Sequence, residues 1–299
     1  MTDWRDELRR ALPLARFDEP LARHTTFKIG GPADAFVDAR SAAEILEVLR
    51  VARDAAVPLF VLGWGSNLLV RDRGVRGLVV RLAGEFERVE FPGEDRARAG
   101  AAARVPQLVV ACAERGLAGL EPIVGVPGTV GGALAMNAGT RDGEIGPAVL
   151  EIEAANPRTL SIEKIPKSEL AFAYREGPLK DLVALSVLLQ LKPGSKGDIM
   201  AAVGRYQQKR QKSQPIHTFN VGSTFKNPPG RFAAQMIEQL GLKGRAVGGA
   251  RVSPLHANFI ENFAGAKASD VLALVDLIRE RARETFGVGL ELEMKVVGE

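Results

Sequence analysis

Apolar positions along the chain recur at two periods. Between Ser41 and Val57, the side chains of Ile45, Leu46, Leu49 and Ala52 fall on one face at helical spacing. Ser41, followed three residues later by Glu44, has the form of a capping box. The spacing therefore predicts a helix that opens at Ser41 and stops near Val57-Pro58. Ala33 to Val37 and Leu59 to Leu62 flank it as strand candidates, giving a strand-helix-strand unit, and a further strand is expected over Gly77 to Leu82. Val105 to Arg115 reads as a short helix that carries Cys112 as a small buried apolar side chain. Leu182 to Leu191 is rich in branched residues and closed by Lys192-Pro193-Gly194, which suits a buried strand. Helices are predicted over Arg231 to Leu240 and Ser269 to Phe286. The second has Ser269 as N-cap, a stripe of Val271, Val275, Ile278 and Ala282, and Gly287 as its stop. A strand over Gly289 to Val297 closes the chain.

At 299 residues the chain is long enough to bury a large core in two or three domains. With the main boundary after the strand that ends at Leu191, the division is a helical segment 1–22, a region 23–195 and a C-terminal domain 196–299. Cys112 is the sole cysteine, Met1 to Arg16 is charged and amphipathic without an apolar signal core, and no apolar run is long enough to span a bilayer. A cytoplasmic protein without membrane contact is the expectation. Forty basic against thirty-six acidic residues leave a charge of +4, which suits an anionic small molecule. The basic run Arg205 to Lys212 has no aromatic platform beside it, so nucleic acid is not an expected partner.

Two glycine clusters hold the candidate chemistry. Gly63-Trp64-Gly65-Ser66-Asn67 follows an apolar strand, where a tight loop can offer backbone N–H groups to a phosphate. It lacks the third glycine and the following helix of a dinucleotide fingerprint, because Leu68, Leu69 and Val70 continue as an extended segment. Gly125-Val126-Pro127-Gly128-Thr129-Val130-Gly131-Gly132, with Asn137 just beyond, lacks the Gly-Lys-Ser/Thr ending of a P-loop. Its glycines would let backbone approach a large flat or pyrophosphate-bearing ligand, with Thr129 and Asn137 as polar contacts. His24, His217 and His256 stand far apart in sequence, so no metal site is expected, and no Gly-x-Ser-x-Gly elbow occurs. Gly222-Ser223-Thr224-Phe225-Lys226-Asn227-Pro228 gathers a hydroxyl, a cation and an amide in one turn.

These segments together resemble the UDP-N-acetylenolpyruvoylglucosamine reductase family. The resemblance runs through His24 to Gly31, the Gly63 loop, Gly125 to Gly139, Phe172-Ala173-Tyr174-Arg175, Gln214-Pro215, Gly222 to Pro228, His256 to Ile260 and Leu290-Glu291-Leu292-Glu293. It implies an α+β fold: a two-subdomain FAD-binding region of the vanillyl-alcohol-oxidase type, then a C-terminal substrate-binding domain. It also implies an NADPH-dependent reduction that makes a bacterial cell-wall precursor. Carried onto this chain, the family's catalytic residues are Arg175, Ser223 as proton donor and Glu293. Gly63, Gly65, Ser66, Asn67, Pro127, Gly128, Thr129, Gly131, Gly132 and Asn137 would hold FAD, and Tyr174, Lys226 and Asn227 the sugar nucleotide. Trp64 stands where the family usually has a small or polar residue. Arg175 is followed by a short run into the strand at Leu182, as in members without a tyrosine-bearing substrate loop. Two rivals remain open on the residues alone: another flavoprotein of this fold acting on an alcohol or sugar, and a silent sugar-nucleotide-binding protein.

Overall fold

The computed structural model describes residues 3–299. The first two residues of the predicted N-terminal segment lie outside the described residues. Seven helices occur among the described residues: α1 (Trp4–Ala11), α2 (Ala42–Asp54), α3 (Val105–Glu114), α4 (Val130–Ala135), α5 (Lys196–Ser213), α6 (Ala233–Gln239) and α7 (Ala268–Phe286). None is long and apolar enough to cross a membrane. Ser41 caps α2 as its spacing predicts, its hydroxyl accepting the Glu44 N–H at 3.3 Å. The Glu44 carboxylate reaches one residue further back than a capping box requires and accepts from Arg40 N–H at 2.7 Å.

The chain folds into two compact units. The first holds the chain up to Phe17, Ala35–Trp64 and Gly77–Lys209; the second holds Asp18–Asp34, Gly65–Arg76 and Arg210–Glu299. This differs from the linear division read from the sequence. Inside the second unit, Lys295–Val297 pairs in parallel with Leu68–Val70, and the Asn262 amide donates to the Phe27 carbonyl at 3.0 Å. Those long-range bonds draw two short N-terminal segments into the unit formed mainly by the C-terminus. Passage out of the first unit falls within α5, between Lys209 and Arg210.

The first unit contains an antiparallel sheet of five strands in the order Ile162–Pro166, Val149–Ala155, Val183–Gln190, Arg96–Gly100, Val89–Glu90. A second sheet runs in the order Arg16–Pro20, Pro32–Ala39, Val75–Leu82, Leu59–Val61. The predicted strand-helix-strand unit is present, but Val75–Leu82 lies between its two strands and pairs in parallel with Leu59–Val61. α2 and α3 bury Ile45, Leu49, Leu108, Val109 and Cys112 in this unit's core. Burial pushes the Cys112 thiol up to about 12, which leaves it unreactive, as expected of a packing residue.

In the second unit α7 buries Val271, Leu274, Val275, Ile278 and Ala282 in a core shared with Phe225, Ala250, Val252 and Ile260. Gly287, at φ 67°, ends it as predicted. Its N-cap is Lys267 rather than Ser269. The orphan N–H groups of the first turn are met by carboxylates instead: Asp270 accepts from Lys267 N–H at 3.0 Å, and Asp72 from Ala268 and Ser269 at 2.7 and 3.1 Å. The strand expected over Gly289 to Val297 shrinks to Lys295–Val297, because Leu290 to Glu293 bonds to the Ser223 loop instead.

Candidate cofactor cleft and active site

A cleft of about 860 Å³ opens in the first unit, within the size range of ligand pockets. Three of its walls are backbone turns: Gly63-Trp64 after the strand Leu59–Val61, Ala101 to Arg104 after the strand Arg96–Gly100, and Thr129, Gly131 and Gly132 at the start of α4. Ala101 to Val105 runs antiparallel beside Gly128 to Gly131. Val105 N–H donates to the Gly128 carbonyl at 3.0 Å, Val130 to Ala103 at 2.9 Å and Gly131 to Ala101 at 2.8 Å. A Cβ on Gly63 would stand 2.7 Å from the Thr129 hydroxyl, so the first turn closes against the third only because residue 63 is glycine. That hydroxyl accepts the Gly132 N–H at 3.3 Å and caps α4. The amides of Val130, Gly131 and Gly132 are thus engaged internally. Those of Gly63, Trp64 and Thr129 donate to no acceptor among the described residues.

Also in the first unit, Ala173 to Glu176 forms a two-residue hairpin closed by reciprocal backbone bonds of 2.9 and 3.1 Å. Tyr174 and Arg175 occupy its turn, with Arg175 at φ 60° and its guanidinium 5.1 Å from the exposed Tyr174 ring. Asn137 holds this hairpin in place. It is fully buried, donating to the Ala173 carbonyl at 3.0 Å and accepting from Gly146 N–H at 3.1 Å. Its amide is therefore a brace for the Arg175 turn, not the polar ligand contact that its place beside the glycine cluster suggests. Gly177, directly after the hairpin, packs so tightly on the Leu134 carbonyl that no side chain fits. The chain then enters the strand Val183–Gln190 with no extra loop.

In the second unit the Ser223 turn is clasped from two sides. Thr224 N–H donates to the Asn258 carbonyl at 2.8 Å, while the buried Asn258 side chain bonds both the N–H and the carbonyl of Phe225, at 3.0 and 2.8 Å. From the other side Glu293 N–H donates to the Thr224 carbonyl at 2.9 Å, and Lys226 N–H to the Glu291 carbonyl at 2.9 Å. Ser223 and Glu293 are thereby set on neighbouring backbone segments. Both are half-buried, and no partner engages the Ser223 hydroxyl among the described residues. Asn67 joins the same assembly: its amide donates to the Glu293 carbonyl at 3.1 Å, and its own carbonyl accepts from Lys295 at 3.0 Å. Its side-chain N–H thus bonds the Glu293 backbone, beside any contact to the cofactor. Gly65, at φ 65°, has room for no Cβ against His24 and Thr25, and its carbonyl accepts Thr26 N–H at 3.1 Å. The Lys226 ammonium meets the exposed Glu291 at 3.2 Å, and Asn227 accepts the first N–H of α6 at 3.1 Å. Each therefore has a structural bond beside any role toward substrate.

Residues 33–158 match the family described as FAD binding domain, and residues 214–297 match the UDP-N-acetylenolpyruvoylglucosamine reductase C-terminal domain. The UDP-N-acetylenolpyruvoylglucosamine reductase of Rubrobacter xylanophilus is 44% identical over 295 residues, covering 98% of both chains. A second protein of that name, reductase 2 of Symbiobacterium thermophilum, is 43% identical over 284 residues, 94% of this chain and 91% of its own. The crystal structure of the Thermus caldophilus reductase superposes with a TM-score of 0.82 at 38% identity, covering 95% of this chain and 98% of the other. The chain belongs to the UDP-N-acetylenolpyruvoylglucosamine reductase family. Membership establishes the α+β fold with an FAD-binding domain followed by the family's C-terminal domain, and a flavin-dependent oxidoreductase class.

The cleft fits the cofactor of this reductase family on its own chemistry. Its glycine turn admits a large ligand close to backbone, and its unengaged N–H groups suit the oxygens of a pyrophosphate. The sequence reading quoted Asn258 within the motif His256 to Ile260 without a role and did not single out Asp72 or Arg104. An alternating pattern marks none of them, since each acts through a partner that only the fold brings near.

Proposed function

We propose that the protein reduces UDP-N-acetylenolpyruvoylglucosamine to UDP-N-acetylmuramate with NADPH as reductant, in the synthesis of bacterial cell-wall precursors. The observation that carries this reading is the clasp on Ser223. It fixes a free hydroxyl beside the Glu293 segment through backbone bonds on both sides. Gly63, Pro127, Gly128, Thr129, Gly131 and Gly132 form the cradle proposed for FAD, and Gly65, Ser66 and Asn67 are further proposed contacts. When bound, FAD supplies the acceptance of hydride from NADPH and its return to the vinyl carbon of the substrate.

Hydride addition at the vinyl carbon leaves negative charge at the carbon beside the carboxylate, which must be stabilised and protonated. Ser223 Oγ gives that proton. A serine hydroxyl is a weak acid, so it serves here only because the carbon that takes the proton is a much stronger base. Arg175, always charged and able to make two parallel hydrogen bonds, binds the carboxylate and offsets the developing charge. Glu293, bonded through its backbone to the Ser223 turn, is the third residue proposed to act in the reaction. Tyr174, Lys226 and Asn227 are the proposed contacts to the sugar nucleotide. Lys226 can exchange its exposed bond to Glu291 for a phosphate at small cost.

Ser223→Ala separates the two half-reactions. Followed anaerobically, NADPH should bleach the flavin absorbance of the variant as it does that of the wild type, while recovery on adding the enolpyruvyl substrate slows by about 10²- to 10⁴-fold. Equal recovery in the two proteins would remove Ser223 as the acid.

A further inference from the structure

Three cationic side chains line the cleft of the first unit: Arg81, Arg104 and Lys180. Arg81 is paired with Asp38 at 2.6 Å and Lys180 is exposed to water. Arg104 is half-buried and has no carboxylate partner among the described residues. Its guanidinium carbon lies 3.1 Å from the centroid of the Trp64 ring, so the indole covers one face of the group. The in-plane Nε is shielded from solvent and has no hydrogen-bond acceptor, an arrangement that costs free energy until an acceptor arrives. Burial pushes its pKa below the ordinary arginine value, yet a guanidinium keeps its charge at any working pH.

The backbone places this cation among donors. Arg104 is bridged to Thr129 across the antiparallel pairing, and Thr129 in turn closes on Gly63. The unengaged amides of Gly63, Trp64 and Thr129 line the same cleft. Glu87 and Asp181 also line the cleft, Asp181 being paired with Arg158 at 2.6 Å, but a planar fork with one face covered and an Nε without an acceptor suits an anion whose oxygens lie in the plane of that fork. Resting on the FAD reading above, we propose that Arg104 is a direct ligand of the cofactor's pyrophosphate, with the Trp64 indole stacked on its guanidinium as a shield from water. The pairing also gives a purpose to a bulky residue between two glycines.

The test is equilibrium titration of the apo-protein with FAD and, separately, with riboflavin, which shares the isoalloxazine but has no pyrophosphate. Arg104→Ala should weaken FAD about 10- to 100-fold and leave riboflavin unchanged. Arg104→Lys should fall between, because an ammonium lacks the planar fork. FAD affinity of R104A within twofold of the wild type would overturn the proposal, as would an equal loss for riboflavin, which marks general damage to the cleft. A raised KM for NADPH with unchanged FAD affinity would overturn it too, assigning Arg104 to the nicotinamide nucleotide. If the wild type takes up neither flavin, the FAD reading fails with it, a result no variant can mimic.

Discussion

Arg175 sits in the left-handed region at φ 60°, a conformation that costs a side-chain-bearing residue about 1–2 kcal/mol. Two hairpin bonds, the Asn137 brace and the close seat of Gly177 hold it there. Strain retained at one residue of a proposed carboxylate site implies that the direction of its side chain matters more than local stability. Arg175→Gly accordingly separates the two. Denaturant unfolding should show stability unchanged within about 1 kcal/mol, since relief of strain offsets the added freedom of glycine. Turnover should be lost. A variant that keeps wild-type turnover would show that the guanidinium is not part of the chemistry. At this scale Arg175, Ser223 and Glu293 could be singled out as candidates because each lies in a compact motif. The structural bonds of Asn67 and Asn137 could not be foreseen. Their amides meet backbone groups 226 and 36 residues away, and an asparagine in a sequence carries no mark of which groups it will face.

Among the elements, α7 shows how a helix end is completed from outside. Asp72, roughly 200 residues earlier in the chain, accepts two of its first N–H groups. Burial pushes the Asp72 carboxyl up, but the bonds from Ala268 and Ser269 and the Lys267 charge outweigh it, holding the group below its usual 3.8. A carboxylate depressed in the folded state adds stability above the unfolded value, and that contribution is lost as pH falls through the folded one. Asp72→Ala should therefore cost about 0.5–2 kcal/mol near neutral pH by denaturant unfolding. The gap between variant and wild type should narrow as the pH drops below about 3.8. A gap independent of pH would mean that Asp72 acts through packing instead. The existence and stripe of α7 were plain in its apolar period, as were those of α2. Its cap was misplaced at Ser269 because the true partners are a carboxylate one turn on and another from a distant loop.

For the whole molecule, the family matches cover residues 33–158 and 214–297, while the two compact units interleave the chain. Reading from left to right gives a helical segment, a cofactor region and a terminal domain. The folded chain instead assigns Asp18–Asp34 and Gly65–Arg76 to the unit of the C-terminus, because strand pairing and the Asn262 bond outrank sequence order. The first glycine loop is divided by the same boundary: Gly63 and Trp64 belong to the unit with the cleft, Gly65 to Asn67 to the unit that holds Ser223 and Glu293. Hydrophobic periodicity located the elements but carried no information about this exchange, which depends on bonds between residues far apart in the chain. In the proposed reaction one protein takes hydride from NADPH and delivers it to the enolpyruvyl sugar nucleotide. Its most direct test is the absorbance of the FAD-loaded wild type, followed anaerobically through NADPH and then UDP-N-acetylenolpyruvoylglucosamine. The flavin band should bleach and then recover with one equivalent of UDP-N-acetylmuramate formed. Bleaching without recovery would contradict that reaction and point to another acceptor.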